Sequence, residues 1–199
     1  LEARLGDWHP DGDADRGITV AAFAEEGKAP QIPGPLIRVP KGTAIVAVVR
    51  NLLPDSTLFV HGLYTRGARG PDTVQVKPGE AREVRFEAGP PGTYFYWATT
   101  SATAAVGFRG PASQLSGAFV VDSGTTLGTP RDRVFVLGFW TPGDNTGLIE
   151  RSDVNRFVIN GKSWPYTERF TYTVGDSVRF RMVNTTVVPH PMHLHGFYF

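Results

Sequence analysis

The fold of this chain is decided by the stretch Pro189-His190-Pro191-Met192-His193-Leu194-His195-Gly196-Phe197-Tyr198-Phe199. Three of the chain's five histidines fall within six positions of this stretch. The residues around them are apolar or aromatic, and on their own they predict a buried strand. Packing does not account for three histidines in such a strand, so a chemical role is indicated.

The spacing of these histidines favours a metal site. Side chains alternate between the two faces of a strand, so His193 and His195 are expected to point the same way, with Leu194 buried behind them. His190 precedes Pro191, which favours an extended backbone at the entrance of the strand. Neutral imidazole binds copper, zinc, iron and nickel, and copper(II) stands highest in the affinity order. The alternative, surface or hydrogen-bonded core histidines, is the weaker interpretation of this pattern.

The seven residues from His190 to Gly196 resemble the H-P-x-H-L-H-G motif of the multicopper oxidases, a laccase-like family built from repeated cupredoxin β-barrels. The resemblance implies that His190 binds the type 1 copper, which takes electrons from substrate. It also implies that His193 and His195 bind the trinuclear type 2/3 copper cluster, which reduces dioxygen to water. Copper is then the expected cofactor, with a small-molecule electron donor and dioxygen as partners.

Composition excludes several other classes of protein. A formal net charge of +1 over 199 residues does not suggest a nucleic-acid or membrane surface. No apolar run approaches the roughly 20 residues of a membrane span. Cysteine is absent, so disulfides are excluded. We expect no nucleic-acid or membrane partner, and the family resemblance implies a periplasmic or extracellular location with any secretion signal lying outside this sequence.

The pattern along the chain predicts an all-β fold of tandem cupredoxin-like Greek-key barrels. Apolar or alternating segments between Gly- and Pro-rich turns predict strands at residues 17–24, 36–39, 43–51, 58–63, 82–87, 92–97, 115–121, 133–139, 157–160, 170–174 and 177–184. Small polar residues at 123–130 predict a linker between a first domain, residues 1–122, and a second, residues 131–199.

The N-terminal 16 residues are predicted to be a solvated entry segment. They contain four carboxylates, Asp7, Asp11, Asp13 and Asp15. Their spacing does not match a calcium loop, and His9 among them is expected to be exposed. Elsewhere, Trp140 and Trp164 are predicted to lie in loops.

The two predicted domains resemble copies of one another. Each has a glycine, an asparagine nine residues later and a His-Gly pair ten or eleven residues after that: Gly42, Asn51 and His61-Gly62, then Gly175, Asn184 and His195-Gly196. This internal repeat supports a duplicated cupredoxin. The second copy stops four residues after His195, so its barrel is expected to be incomplete. The remainder of a longer polypeptide, or another chain such as a second copy, is expected to complete it.

Most of the ligands that the resemblance implies for the first domain are missing. Phe59-Val60-His61-Gly62 stands where the family has H-x-H-G, and Tyr96-Trp97-Ala98-Thr99 stands where it has Y-H-x-H. Only His61 remains of four expected ligands. The Cys-containing H-C-H motif of the type 1 site is also absent, and Met192 is not expected to replace it because it points away from His193.

Two classes of function therefore stay open. The first is a portion of a laccase-like oxidase with His190, His193 and His195 as catalytic residues and these three plus His61 as metal ligands. It would couple one-electron oxidation of phenolic, aromatic or metal substrates to reduction of dioxygen. The second is a non-catalytic, cupredoxin-derived copper-binding or structural module, which the lost ligands would also fit. A cupin-type enzyme is disfavoured because no Glu follows His195 at the needed spacing.

Overall fold

A computed structural model describes residues 1–68, 72–102, 114–124, 127–141 and 155–196. These ranges contain twelve strands and no α-helix: β1 (Glu2–Trp8), β2 (Ile18–Ala24), β3 (Gly34–Pro40), β4 (Ala44–Asn51), β5 (Leu58–His61), β6 (Val74–Val76), β7 (Ala81–Glu87), β8 (Gly92–Thr99), β9 (Ser116–Asp122), β10 (Asp132–Trp140), β11 (Arg156–Ile159) and β12 (Arg179–Asn184). The predicted all-β fold is confirmed. Within the described ranges, no helix has the length and apolar character needed to cross a membrane.

Strands β1 to β9 form two sheets around one core, and we call this part the first unit. One sheet has the order β2-β1-β4-β7 and the other the order β3-β9-β8-β5-β6. Phe23 and Val49 from the first sheet meet Tyr96 and Phe119 from the second in the core. The Tyr96 hydroxyl donates a hydrogen bond to the carbonyl of Pro35 at 2.6 Å, and burial raises the pKa of this tyrosine.

Strands β10 to β12 form a third sheet of order β11-β10-β12, and we call residues from 131 onward the second unit. One face of this sheet presents Val136 and Val183 to Ala118 of β9. Strand β9 is therefore buried along its whole length, because a core lies against each of its two faces.

The opposite face of the third sheet is only partly covered, because Leu137 and Phe139 of its central strand are buried whereas the apolar side chains of β11 and β12 are exposed. Strand alternation places seven apolar side chains there: Phe135, Leu137, Phe139, Phe157, Ile159, Phe180 and Met182. Phe157 is 55% exposed and Phe180 is 40% exposed. Among the described residues this sheet does not close into a barrel, which agrees with the predicted incomplete second barrel. The division into domains at residues 122 and 131 stays a prediction.

The internal repeat is visible in the backbone of both units. Gly42 and Gly175 precede β4 and β12 with φ of +79° and +97°. Strand β4 lies parallel to β1, and β12 lies parallel to β10. Strands β1 and β10 each also pair with an antiparallel neighbour, β2 and β11 respectively. Gly62 and Gly196 have φ of +82° and +80°. The duplication inferred from the sequence is confirmed by this shared connectivity.

The two repeated asparagines have the same local role. The Asn51 side-chain oxygen accepts from the backbone N–H of Leu53 at 3.0 Å, and that of Asn184 accepts from Thr186 at 2.9 Å. Each amide group then donates to a carbonyl a few residues further on, that of Ser56 or Val188. Both side chains thus shape the turn that leads toward the histidines.

The N-terminal segment differs from its prediction. Residues 2–8 form β1, which pairs with β2 along its length and with β4 at its start. The polar pattern concealed this strand because Glu2 is buried and forms an ion pair with Arg4. His9 is half-buried and not exposed, and its Nδ1–H donates a hydrogen bond to the Asp15 carbonyl, 2.9 Å away.

Two acidic residues of this segment attach it to the second unit. Asp11 pairs with Arg156, and Asp13 pairs with Lys162. In addition, the Trp8 indole donates to the carbonyl of Gly161 at 2.7 Å. Both carboxylates therefore form contacts between the units. Asp11 is 24% exposed and is not the solvated group that the sequence predicted, whereas Asp13 is 94% exposed and is solvated, as predicted.

Other differences concern strands. Trp140 is the last residue of β10, not a loop residue, and β6 was not predicted. Residues 170–174 are not a strand; Phe170 instead packs edge-on against Phe135, with ring centroids 5.6 Å apart. An apolar run becomes a strand only where a neighbouring strand can pair with it, and periodicity cannot supply that neighbour.

A buried ion-pair cluster joins the two units. Arg38 donates two hydrogen bonds to Asp122, at 2.7 and 2.8 Å, and one to Asp132 at 2.8 Å. Arg181 donates two more to Asp132, at 2.7 and 2.9 Å. These four side chains are 8–13% exposed. We call them the junction cluster.

The junction cluster is charge-balanced, and it shifts the pKa values of its acids. The hydrogen bond from Arg38 lowers the pKa of Asp122, against the opposing effect of burial. Burial raises the pKa of Asp132, but hydrogen bonds from Arg181 and Arg38 outweigh it, so the net pKa is lowered. Both carboxylates are therefore charged at neutral pH, as buried partners of arginine must be.

Candidate metal centre

His190 is held in place by the turn that follows β12. Its Nε2 lies 2.8 Å from Thr186 Oγ1, and its ring packs edge-on against Phe157 at 6.0 Å between centroids. Thr186 Oγ1 lies 2.8 Å from the side-chain oxygen of Asn184, to which it can donate. The hydroxyl oxygen accepts the backbone N–H of Val188 at 3.3 Å, and its second lone pair can accept the Nε2–H of His190. In that tautomer Nδ1 carries the lone pair and is the atom available to a metal.

His193 and His195 come together, although not in the way predicted. Their ring centroids are 4.7 Å apart, with an interplanar angle of 81°. The backbone from residue 185 to 196 is not a strand, so the predicted strand geometry is wrong. Leu194 and Met192 are 39% and 40% exposed, not buried behind the histidines. The two imidazole rings nevertheless lie next to one another at the surface.

An apolar cavity of about 560 Å³ lies beside His190. Its lining combines the exposed sheet face with the C-terminal segment: Leu137, Gly138, Phe157, Val158, Ile159, Trp164, Thr167, Val188, His190, Pro191 and Met192. Trp164 is 79% exposed at this site. Such a lining suits an aromatic or apolar molecule, with the imidazole as one of few polar groups.

His61, the last residue of β5, lies between a carboxylate and an indole. Its Nδ1 is 3.0 Å from Asp72 Oδ1 and 3.2 Å from Thr73 Oγ1. Its ring stacks on Trp97 with centroids 4.1 Å apart and planes 16° from parallel. Because a carboxylate accepts, Nδ1 carries the proton and Nε2 keeps its lone pair. A carboxylate in this position is how metal-binding histidines are usually oriented.

The four positions aligned with the family's first-domain ligands form one array. Phe59 pairs with Thr99, and His61 pairs with Trp97, on neighbouring strands β5 and β8. Residues two apart on a strand share a face, so all four side chains lie on the same face of the sheet. The array contains one imidazole. It does not fit a trinuclear copper cluster, which needs several nitrogen donors.

No group of three or more His, Asp or Glu side chains in the described ranges is arranged to hold a metal ion. Of the four predicted ligands, His193 and His195 lie next to each other. His61 and His190 instead contact residues other than histidine. Sequence reasoning missed the residues that orient those two, Asp72 and Thr186. Thr186 follows the repeated asparagine by two residues, which offers a signal, whereas nothing in the sequence marks Asp72.

The turn after His61 is fixed by Arg66. Its guanidinium donates to the carbonyls of Gly62 and Phe95, both at 2.9 Å, and lies over the ring of Tyr94 at 4.8 Å. Gly62 has φ of +82°, and a Cβ there would lie 2.8 Å from the Cα of Tyr96. Glycine is therefore required beside His61 by both conformation and space.

Sequence models described as multicopper oxidase match residues 26–122 and 138–199. Multicopper oxidase MmcO of Mycobacterium tuberculosis is 37% identical over 194 residues, covering 77% of this chain and 37% of that protein. A probable nitrite reductase-hydroxylamine oxidoreductase fusion protein of Kuenenia stuttgartiensis is 29% identical over 193 residues, covering 87% of this chain and 22% of its own length. The chain thus spans between about a fifth and two fifths of these relatives.

Solved structures show the same fold. The blue copper oxidase of Nitrosomonas europaea superposes with a TM-score of 0.69 at 22% identity, covering 94% of this chain and 60% of that one. The copper nitrite reductase of the same organism gives a TM-score of 0.67 at 23% identity, covering 92% and 66%. The predicted cupredoxin-like architecture is confirmed by these likenesses.

Proposed function

The chain belongs to the multicopper oxidase family, and on that premise we propose that the intact protein is a laccase-like copper oxidoreductase. It removes single electrons from phenols, aromatic amines or metal ions and passes them to dioxygen, which is reduced to water. Bound copper supplies the one-electron chemistry. His190, His193 and His195 are the catalytic ligands, His61 is a further metal ligand, and we propose that the other ligands are supplied by the rest of the intact protein or by another chain.

The observation that carries this proposal is the position of His190 at the wall of an apolar cavity. The ring is oriented by Thr186, so Nδ1 is the proposed ligand atom, and Phe157 and Trp164 line the same space. An aromatic donor placed there lies against a ligand of the metal that oxidises it. A short distance between the electron donor and the metal ligand favours electron transfer. The site then needs no separate pocket that binds a charged group of the donor.

Completion of the second barrel belongs to the same proposal. The exposed apolar side chains of β12 on this face, Phe180 and Met182, do not line the cavity, and they are covered by the remainder of a longer polypeptide or by another chain, including a second copy. The copper centre of His193 and His195 is completed at the same time. We place the intact protein in the periplasm or outside the cell.

A second candidate is a non-catalytic copper-binding or structural module derived from a cupredoxin. The observation that favours it is the array of Phe59, Trp97 and Thr99 where the resemblance implies ligands. Such a module binds copper through the C-terminal histidines and consumes no oxygen.

The test uses the full-length protein loaded with copper. Oxygen uptake with a phenolic donor distinguishes the oxidase from the module, which gives none. His193→Ala and His195→Ala are each expected to lower the copper content per chain, measured by elemental analysis. His9→Ala is the matched control, because His9 lies in the N-terminal segment, and it is expected to keep full copper. Equal copper in all variants would remove the site assignment.

A further inference from the structure

We propose that Trp164 selects aromatic electron donors at the cavity beside His190, and that residues 10–12 of the N-terminal segment position it there. The inference rests on the proposed function, because it concerns the donor side of the same site. It adds one specificity-determining residue inside the cavity and a group of positioning residues outside it.

The exposure of Trp164 is unusual for this chain. Of the four tryptophans, Trp8 is buried and Trp97 and Trp140 are partly buried, whereas Trp164 is 79% exposed. It lines the apolar cavity together with Phe157. An indole exposed this far contributes little apolar burial to the fold, but it offers a wide stacking face to an aromatic molecule. The exposure therefore indicates recognition of a ligand.

Trp164 is the second residue of a tight turn. The turn runs from Ser163 to Tyr166, and the backbone N–H of Tyr166 donates to the carbonyl of Ser163 at 2.7 Å. Pro165 follows Trp164 and restricts its backbone further. The position of the indole therefore depends on how the two ends of this turn are held.

The N-terminal segment holds both ends. The backbone N–H of Ser163 donates to the carbonyl of Pro10 at 2.9 Å, and the Ser163 hydroxyl donates to the carboxylate of Asp11. Ser163 is buried, so water competes little for these hydrogen bonds. At the other end, the ring of Tyr166 lies so close to Gly12 that a Cβ there would be 2.8 Å from it.

Asp11 also connects the turn to the opposite wall of the cavity. One of its carboxylate oxygens accepts from Ser163, and the other accepts from Arg156 at the start of β11. Phe157, which lines the cavity, is the next residue of that strand. One carboxylate thus fixes the two aromatic walls relative to each other. Walls that are fixed before binding lose less conformational entropy when a ligand enters.

This arrangement distinguishes between the classes of electron donor in the proposed function. A phenol or an aromatic amine has a flat ring that can pack against Trp164 and Phe157. A hydrated iron(II) ion has no such face and gains nothing from the stacking surface of the indole. Trp164 is therefore expected to affect the binding of aromatic donors and not that of metal ions.

Binding is tested by equilibrium dialysis of the copper-loaded full-length protein against para-nitroanisole, an aromatic ether without a phenolic hydroxyl to oxidise. Trp164→Ala is expected to raise the dissociation constant by about 5- to 10-fold, because the stacking face is lost. Trp164→Phe keeps an aromatic ring and is expected to stay within about 2-fold of the unmodified protein. Val46→Ala, at an exposed position of β4, is the control and is expected to change nothing.

The positioning role is tested with Ser163→Ala, which removes the hydroxyl that joins the turn to Asp11. This variant is expected to raise the dissociation constant of para-nitroanisole, and the KM for para-methoxyphenol, by about 3-fold. Its KM for iron(II), and its kcat with either donor, are expected to match those of the unmodified protein. General damage to the fold or loss of copper would instead lower kcat with both donors.

An unchanged dissociation constant in Trp164→Ala, or no binding of para-nitroanisole by the unmodified protein, would overturn the role of Trp164. Unchanged binding in Ser163→Ala, or equal increases in KM for both donors, would overturn the positioning role. Oxygen uptake that is absent with both donors contradicts the proposed function instead, and the dialysis of the same variants then decides the inference without it.

Discussion

Thr186 shows how one residue outside the motif can control a residue inside it. Its hydroxyl links the side chain of Asn184, which ends β12, to Nε2 of His190. The orientation of the imidazole is thus set by the turn and not by the H-P-x-H-L-H-G residues themselves. Loss of the hydrogen-bonding partner of a metal-binding histidine typically lowers metal affinity by about 10- to 100-fold.

Thr186→Val is expected to weaken copper binding at His190 by about 10-fold or more, because valine has a similar shape but cannot accept the Nε2 proton. The measurement is a competition titration of the copper-loaded full-length protein against a chelator of known affinity. Thr171→Val is the control, since Thr171 is exposed and distant in sequence from the turn. Unchanged affinity in Thr186→Val would show that His190 is oriented by other contacts.

At the scale of the element, the turn after β5 is more constrained than any other feature of the His61 site. Arg66 donates hydrogen bonds to the carbonyl of Gly62 in this turn and to the carbonyl of Phe95 in β8. The backbone of Gly62 also lies close against β8. The Gly196 turn in the second unit has the same φ sign but open space around it. Packing therefore fixes the turn at Gly62. The turn at Gly196 shares its backbone conformation but not its close packing.

Gly62→Ala is expected to destabilise the protein by about 3 kcal/mol, from the left-handed conformation together with the collision against β8. Urea unfolding followed by tryptophan fluorescence measures the loss. Gly79→Ala is the matched control, because Gly79 has φ of +75° and no atom within 4 Å of an added Cβ. That variant is expected to lose only about 1 kcal/mol. Similar losses in the two variants would refute the role of close packing.

For the whole molecule, the junction cluster determines how the two units meet. Arg38 and Asp122 come from the first unit, and Asp132 and Arg181 come from the second. Each charge is buried and has a partner across or along the junction. Removing one partner leaves a buried charge uncompensated, which costs more than the intact pair contributes.

Asp132→Ala is expected to lower the free energy of unfolding by about 3 to 5 kcal/mol, because Arg38 and Arg181 both lose a carboxylate. Chemical denaturation measures the change. Glu83→Ala removes an exposed ion pair with Arg85 and is expected to cost less than about 1 kcal/mol. Equal effects of the two substitutions would mean that the junction cluster stabilises the fold no more than an exposed ion pair does.

The same cluster predicts a pH dependence. The pKa values of Asp122 and Asp132 are lowered in the folded state, so their contribution is complete above the ordinary carboxylate pKa of about 3.9. It is lost as the pH falls below that value through the lowered pKa values. Asp132→Ala should therefore show a shallower loss of stability in acid than the unmodified protein does.

How far sequence reasoning reached can be judged from particular residues. Alternation and turn residues identified most strands, and the Gly-Asn-His-Gly spacing identified the duplication, because these patterns are local. Strand β1 was missed because its polar residues are paired within the fold, as Glu2 is with Arg4. The predicted strands at residues 170–174 and at the C-terminal histidines were wrong because pairing depends on a neighbouring strand.

The sequence by itself determined the all-β class, the repeat, the four candidate histidines and the three positions where ligands are replaced, because residue type and spacing are sufficient for these. Only the tertiary structure decided which groups meet. Asp72 contacts His61 from the segment before β6, and Trp97 stacks on His61 from the neighbouring strand β8. Arg38 meets Asp132 across the junction. Such contacts join residues that are distant along the chain, and their existence depends on sheet order and register, which a local pattern does not contain.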